Sequence, residues 1–428
     1  MPAAPPDPVA GREAVEAVWR IESARLIAAL ARFTGDIGLA EDLAQDALLA
    51  ALQQWPATGT PPNPGGWLMT TAKNRAVDGF RREALHRRTV QGLGHQVYRQ
   101  GEDPSVRPAD EADAALDDPV GDDELRLLFA ACHPELRREY RVALTLRCLA
   151  GLSTPQIARA FLVADSVVGQ RVSRAKKTLR DKGIGLHMPE PADLPERLSS
   201  VLEVIYLIFN EGYSASSGED WMRPELCHDA LRLARRTAAL VPGHAEAQGL
   251  LALLEFTQSR AAARHDAEGA PVLLQDQDRG RWDRLLIGRG FAALARAHRL
   301  GSVGPYVLQA AIAGCHAAAP SAQDTDWARI AGLYDTLERH QPTPVVTLNR
   351  AAAHGRAHGA AAGLAVLATL PAGSLDRYPQ RHAVEGELLA WAGRRGEAGA
   401  AYRRAAELTA NAAERRLLLR RAASTAPS

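Results

Sequence analysis

Apolar residues recur at three- and four-residue steps along most of this chain, and runs rich in strand-forming residues are scarce. That periodicity predicts amphipathic helices, and the expected fold class is all-α. Residues 12–55 carry it through Leu26, Leu30 and Phe33, then Leu43, Ala47 and Ala50. A Pro/Gly stretch from Trp55 to Gly66 cannot continue a helix. Another helix is expected from Trp67 to Arg82, with Leu68, Ala72, Ala76 and Phe80 at four-residue steps. Residues 91–122 are acidic and lack periodicity, as a linker does. A compact helical unit is expected over 123–185, then a Pro-rich linker from Gly185 to Pro195, then recurring helical patterns over 196–428.

The segment from Gly151 to Arg180, GLSTPQIARAFLVADSVVGQRVSRAKKTLR, reads as two short helices joined by a tight turn. Thr154 is placed to cap the first helix, with Pro155 at its first position. Asp165 or Ser166 is placed to cap the second. In that second helix Val168, Val172, Ala175 and Leu179 fall within about 60° of one another at ~100° per residue. The opposite side carries Ser166, Gln170, Ser173, Arg174 and Lys177, flanked by Arg171. Short and amide side chains near the start can approach base edges, and cations further along can neutralise phosphates. An amphipathic hairpin with a merely solvated basic exterior would share the pattern.

A length of 428 residues suggests several domains, and an apolar content of 46% is ample for their cores. The start, MPAAPPDPVAG, lacks the pattern of a signal peptide, and no run of about 18 apolar residues suggests a membrane span. Four cysteines without a CxxC fit a reducing cytoplasm. The net charge of +1 conceals a partition along the chain. Residues 1–72 hold four basic and eight acidic residues, net −4; residues 73–88 hold six and two, net +4. Residues 102–124 hold one and ten, net −9; residues 141–182 hold nine and two, net +7. Two basic segments separated by an acidic linker suit two DNA contacts on one chain, or simply solvated faces.

In GLAEDLAQDALLAALQQW, Gly38 to Trp55, the outward face collects Asp42, Gln45, Asp46, Leu49 and Gln53. An exposed leucine among acids and amides suits a protein–protein contact. The helix that follows interleaves Lys73, Asn74, Arg75, Arg81 and Arg82 with its apolar positions, a composition able to hold DNA.

Together, GDIGLAEDLAQDALLAALQQW…GGWLMTTAKNRAVDGFRRE and DDELRLLFAACHPELRREYRVALTLRCLAGLSTPQIARAFLVADSVVGQRVSRAKKTLR resemble a bacterial extracytoplasmic-function (ECF) sigma factor. Residues 12–90 resemble sigma domain 2, a helical bundle, and residues 123–185 resemble sigma domain 4, a helix-turn-helix. The resemblance implies core RNA polymerase, through its β′ clamp helices and β flap, and promoter DNA as partners. It implies that Asp42, Gln45, Asp46 and Leu49 dock on the clamp helices, and that Lys73, Asn74, Arg75, Arg81 and Arg82 serve the −10 element. An amide at Asn74 suits a base taken out of the stack. It implies −35 contacts from Gln170, Arg171, Arg174 and Lys177, and a linker threading toward the polymerase active site. Ser166-Val167 replaces the family's usual Gly-Thr, so a −35 preference does not carry over. A helix-turn-helix regulator independent of polymerase, with a ligand- or partner-sensing helical domain, is the alternative.

The region 196–428 resembles the tetratricopeptide-like helical extension that some sigma factors carry, which implies regulation in cis. In HAVEGELLAWAGRRGEAGAAYRRAAEL, Gly386, Leu389, Gly393, Ala398, Tyr402 and Ala405 fit one such unit, though Ala410-Asn411 stands where proline is expected. Two stretches are more distinctive than packing needs: Asn210, Glu211 and Tyr213 at a helix end, and the crowd of Asp276, Asp278, Arg279, Arg281, Trp282 and Asp283. They form either a regulatory surface for a protein or small-molecule effector or a salt-bridged seam between repeats. Three Cys-His dipeptides, at Cys132, Cys227 and Cys315, lack metal-ligand spacing, so no metal is expected. No hydrolase, metalloprotease or phosphate-loop motif occurs; no catalytic role and no cofactor are expected.

Overall fold

The computed structural model describes residues 8–92, 120–161, 163–213, 222–266 and 271–425, and the chain divides into two compact units, Met1–Val204 and Ile205–Ser428. Among the described residues the secondary structure is helical, with one isolated β-bridge between His265 and Pro271.

The first unit opens with a three-helix bundle: α1 (Pro8–Thr34), α2 (Ile37–Thr58) and α3 (Pro64–Gly92). The helical run expected over 12–55 is thus two helices. Gly35 breaks it at φ 72°, and Asp36 restarts it by accepting from the N–H groups of Gly38 and Leu39. Leu26, Leu30, Leu43, Ala47 and Ala50 are buried as their spacing predicts, together with Leu68, Ala72 and Ala76 of α3. Phe80 departs from the expected stripe. It remains 38% exposed and meets Phe33 with ring centroids 6.3 Å apart. Most of the predicted acidic linker, residues 93–119, lies outside the described residues.

Next come α4 (Val120–Ala131), α5 (Arg138–Cys148), α6 (Thr154–Phe161) and α7 (Asp165–Asp181). Two expected caps are corrected here. Ser153, not Thr154, caps α6: the Gln156 N–H donates to Ser153 Oγ at 3.4 Å, and the Ser153 N–H donates to Gln156 Oε1 at 2.8 Å. This is a reciprocal capping box one residue earlier than expected. Ala164 occupies the cap of α7 without a side-chain bond, and Asp165 lies within its first turn, where its charge favours the positive end of the helix dipole. The first turns of α8 (Leu194–Tyr213) complete this unit, burying Leu198, Val201, Leu202 and Val204.

The second unit continues through α9 (Pro224–Leu240), α10 (Ala245–Gln258), α11 (Arg284–Arg299), α12 (Pro305–Ala318), α13 (Trp327–His340), α14 (Pro344–His358), α15 (Ala360–Leu367), α16 (Pro379–Trp391), α17 (Arg395–Leu408) and α18 (Ala412–Ser424). Most of these helices pack on their neighbours in sequence, as helical hairpins do, but α12 passes over α11 and packs chiefly on α10, where Glu246 accepts from the N–H groups of Tyr306 and Val307. The α16–α17 pair carries the predicted repeat-like packing. A Cβ at Gly386 would lie 2.9 Å from the Tyr402 ring, and Tyr402 is 2% exposed with Ala398 and Ala405 fully buried beside it. In the place of the expected proline, Asn411 starts α18 by accepting from the N–H groups of Ala413 and Glu414.

Candidate polymerase and promoter interfaces

The apolar stripe of α7 is seated as the periodicity requires: Val168, Val172, Ala175 and Leu179 are all buried. Its other side points to solvent, with Gln170, Arg174 and Lys177 exposed and Arg171 half-buried. Arg174 Nη1 lies 3.3 Å from the Tyr140 hydroxyl, which steadies the guanidinium without covering it.

On α2, Asp42, Asp46 and Leu49 are exposed and Gln45 is half-buried, all on the face opposite Leu43, Ala47 and Ala50. Leu49 is 54% exposed. On α3, Asn74, Arg81 and Arg82 are exposed and Lys73 and Arg75 are half-buried. Arg75 Nη1 reaches Asp46 Oδ2 at 3.5 Å, so the two predicted patches adjoin on neighbouring helices. Arg82 Nε donates to the Asp78 carbonyl at 3.2 Å.

The sequence did not announce how α7 meets the first bundle. Glu41, one residue before the predicted α2 patch, is 2% exposed and joins both halves of the first unit. Arg147 Nε of α5 donates to Glu41 Oε1 at 2.7 Å, and Lys176 Nζ of α7 donates to Glu41 Oε2. Lys176 also reaches Asp42 Oδ1 at 2.8 Å, and Arg180 Nε reaches Asp36 Oδ2 at 2.9 Å. Burial raises the Glu41 carboxyl, but the charges of Arg147 and Lys176 outweigh it and hold the group below its ordinary value. Burial likewise works against the Lys176 ammonium, and Glu41 and Asp42 more than offset it. A second bond closes the same seam: Trp19 Nε1 of α1 donates to the Gly151 carbonyl at 3.1 Å. Gly151 stands at φ 72°, and a Cβ there would lie 2.7 Å from Ser23 Oγ. One of the predicted polymerase-facing carboxylates is therefore held by the helix that carries the predicted −35 residues.

In the second unit the charged crowd around Trp282 resolves largely into local structure. Asp278 accepts from the Gly280 N–H, and Asp283 accepts from Leu285 and Leu286 at the start of α11. Arg279 Nη1 donates to the carbonyls of His316 and Ala319, each at 2.6 Å, closing the end of α12. Glu211 is paired with Arg223, Arg281 donates to the His265 carbonyl at 3.3 Å, and Asn210 and Asp276 are exposed. Tyr213 and Trp282 instead face a residue the sequence pattern does not single out, Arg260, at 5.9 Å from each ring centroid.

All four cysteines are free and buried, and burial pushes the thiols of Cys132, Cys148 and Cys227 up to about 12. Among the described residues no group of three His, Cys, Asp or Glu side chains converges to hold a metal ion. Nor is any described helix long and apolar enough to cross a membrane.

An acid-and-leucine face on one bundle, an adjoining cationic helix and a helix-turn-helix reader define a transcription-initiation specificity subunit. Comparison with known proteins agrees. Residues 20–86 match the model of sigma-70 region 2, residues 126–179 match that of sigma-70 region 4, and residues 197–298 match a family of unknown function, DUF6596. The chain is 43% identical over 386 residues, 90% of each chain, to an uncharacterized protein of Rhizobium meliloti. It is 35% identical over 150 residues to the ECF RNA polymerase sigma factor SigL of Mycobacterium tuberculosis, covering 35% of this chain and 77% of that one. It is 30% identical over 178 residues to the probable ECF RNA polymerase sigma factor SigI of the same species, covering 42% and 58%. No solved structure matches. The chain belongs to the ECF RNA polymerase sigma factors and carries a helical C-terminal extension. It directs core RNA polymerase to promoters, as an initiation factor and not an enzyme.

Proposed function

We propose that the two cationic modules of the first unit divide promoter recognition between them. Gln170, Arg171, Arg174 and Lys177 contact the −35 element. Lys73, Asn74, Arg75, Arg81 and Arg82 bind and open the −10 element, with Asn74 reading an extruded base. Asp42, Gln45, Asp46 and Leu49 dock on the β′ clamp helices of polymerase, while the second module engages the β flap. The extension regulates this work in cis, and the protein acts in the cytoplasm.

The observation that carries this reading is the position of Lys176. It binds Asp42 on the docking face while the reading side of its own helix stays open to solvent. Docking on the clamp therefore competes with the pairing of the two modules. The free chain holds them together; polymerase holds them apart at promoter spacing.

Run-off transcription by core polymerase with the full chain tests the assignment. Arg171→Ala with Arg174→Ala removes two cations, and promoter retention falls with a salt slope reduced by about two, one for each phosphate that is no longer neutralised. Asp42→Ala with Leu49→Ala lowers the affinity for core enzyme and leaves the DNA salt slope unchanged. Transcription untouched by both pairs refutes the assignment.

A further inference from the structure

Arg260, just after α10, lies within a cluster of ring and cationic side chains contributed by several helices of the second unit. Its guanidinium sits 5.9 Å from the Tyr213 ring at the end of α8 and 5.9 Å from the Trp282 ring before α11. Arg264 stacks on the first ring of this pair, 3.6 Å from the Tyr213 centroid, and Arg279 lies 4.8 Å from that of Trp282. Among the described residues the Arg260 side chain meets rings only; no hydrogen bond or ion pair satisfies its five N–H donors.

Around it, Arg279 is held through its Nη atoms by the His316 and Ala319 carbonyls and the Thr325 hydroxyl, and Arg264 by the Tyr213 carbonyl, but two buried donors are left over. Trp282 is 3% exposed and Arg279 7%, yet Trp282 Nε1 and Arg279 Nε have no hydrogen-bond partner. Both atoms are obligate donors. The charges that act on this cluster are mostly of one sign. The Arg260 charge presses on Arg279, on Arg264 and on the His316 imidazole, Arg279 presses on His316 too, and Asp324 offsets part of the effect on Arg279. Tyr334, on α13, also feels the Arg260 charge. Cations gathered with unsatisfied donors cost free energy unless something accepts from them. Rings flanking a guanidinium hold it flat and leave its N–H edge available for a two-pronged bond to an oxyanion.

We propose that Arg260, held between Tyr213 and Trp282, is the anchor of a binding site for a small oxyanionic ligand bearing a phosphate or carboxylate group. The site lies inside the region matched to a family of unknown function and gives that region a ligand chemistry. It is independent of the promoter and polymerase interfaces assigned above, and none of its residues takes part in them.

The test is isothermal titration calorimetry of the full chain with phenyl phosphate and, separately, with benzoate, at constant ionic strength in a buffer free of oxyanions of either kind. At least one probe is expected to bind saturably at one site per chain; which of the two binds more tightly separates a phosphate ligand from a carboxylate one. Arg260→Gln weakens that binding by at least about tenfold, the scale of a hydrogen bond to a charged group. Arg260→Lys keeps the charge but not the planar fork and gives a smaller loss, which preserves the test should the glutamine variant unfold. Arg284→Gln, an exposed arginine at the start of α11, leaves binding unchanged. Binding of neither probe at millimolar concentration overturns the proposal, and so does binding that Arg260→Gln and Arg260→Lys leave intact.

Discussion

Replacing Glu41 with glutamine should loosen the first unit along one defined seam. The wild-type carboxylate is 2% exposed and accepts from two cations, Arg147 at 2.7 Å and Lys176, whose side chains are 16% and 14% exposed. Glutamine fills the same volume and still accepts one bond, but it removes the charge and turns a donor toward one of the cations. A charge-assisted bond is worth about 1.5–3 kcal/mol, and removing one partner of a buried pair costs about 3–5 kcal/mol. Lys176 keeps Asp42 at 2.8 Å, which recovers part of that loss. A net cost of about 2 kcal/mol corresponds to a roughly 30-fold fall in the ratio of closed to open forms. Arg147→Met attacks the same carboxylate from α5 and leaves α2 untouched, so it should act in the same direction. The assay is single-molecule energy transfer between dyes at Gln54→Cys and Asp181→Cys, both exposed positions; the four native cysteines are buried. Both variants should enrich a low-transfer state that is rare in the parent. Their apparent affinity for core polymerase should rise, because a competent state that is rarely populated lowers the affinity observed. Unchanged transfer and unchanged affinity in both variants would refute the reasoning.

Three further outcomes follow from the packing. Trp19→Phe removes the donor to the Gly151 carbonyl and should lower the stability of the first unit by about 1–3 kcal/mol, read as a shift in urea midpoint. Gly386→Val forces a branched side chain where a Cβ alone would sit 2.9 Å from Tyr402; it should separate α16 from α17 and cost about 1–3 kcal/mol in thermal unfolding. Burial, and then the charges of Arg260 and Arg279, push His316 down to about 3. Its folded value lies below its unfolded one, so its contribution is complete above pH ~6.5 and is lost as pH falls below that. Melting temperature should therefore decline between pH ~6.5 and ~5, and His316→Gln should flatten the decline.

What the sequence made legible was local. The stripe of Val168, Val172, Ala175 and Leu179 lies within one helix, and its spacing alone identifies the buried side. Gly386 and Tyr402 were readable because adjacent helices of a hairpin must meet. The cap of α6 falls one residue before the position that the sequence suggests, since Ser153 and Thr154 are both competent and only the reciprocal bond with Gln156 separates them. In the sequence the charged crowd near Trp282 leaves a surface and a salt-bridged seam both open, because helix caps, paired ions and free ions share one composition; the bonds of Asp278, Asp283 and Arg279 distinguish them. Glu41 and Lys176 are 135 residues apart, and no periodicity pairs residues across such a distance. Arg260 does not stand out in the sequence because its importance comes from rings on other elements.

The opening turns of α8 have a practical bearing on how the extension is studied. Arg197 Nη2 donates to the Phe129 carbonyl at 3.0 Å, Ser200 Oγ donates to the Cys132 carbonyl, and Leu198, Val201 and Leu202 are at most 1% exposed. A truncation that removes the chain from Glu196 onward would strip four core side chains, Val204 among them, and two carbonyl partners from the very module it was meant to liberate. Such a protein would lose activity through its own instability, and the loss would be mistaken for dependence on the missing extension. A cut placed after Val204 spares those groups and separates the two causes.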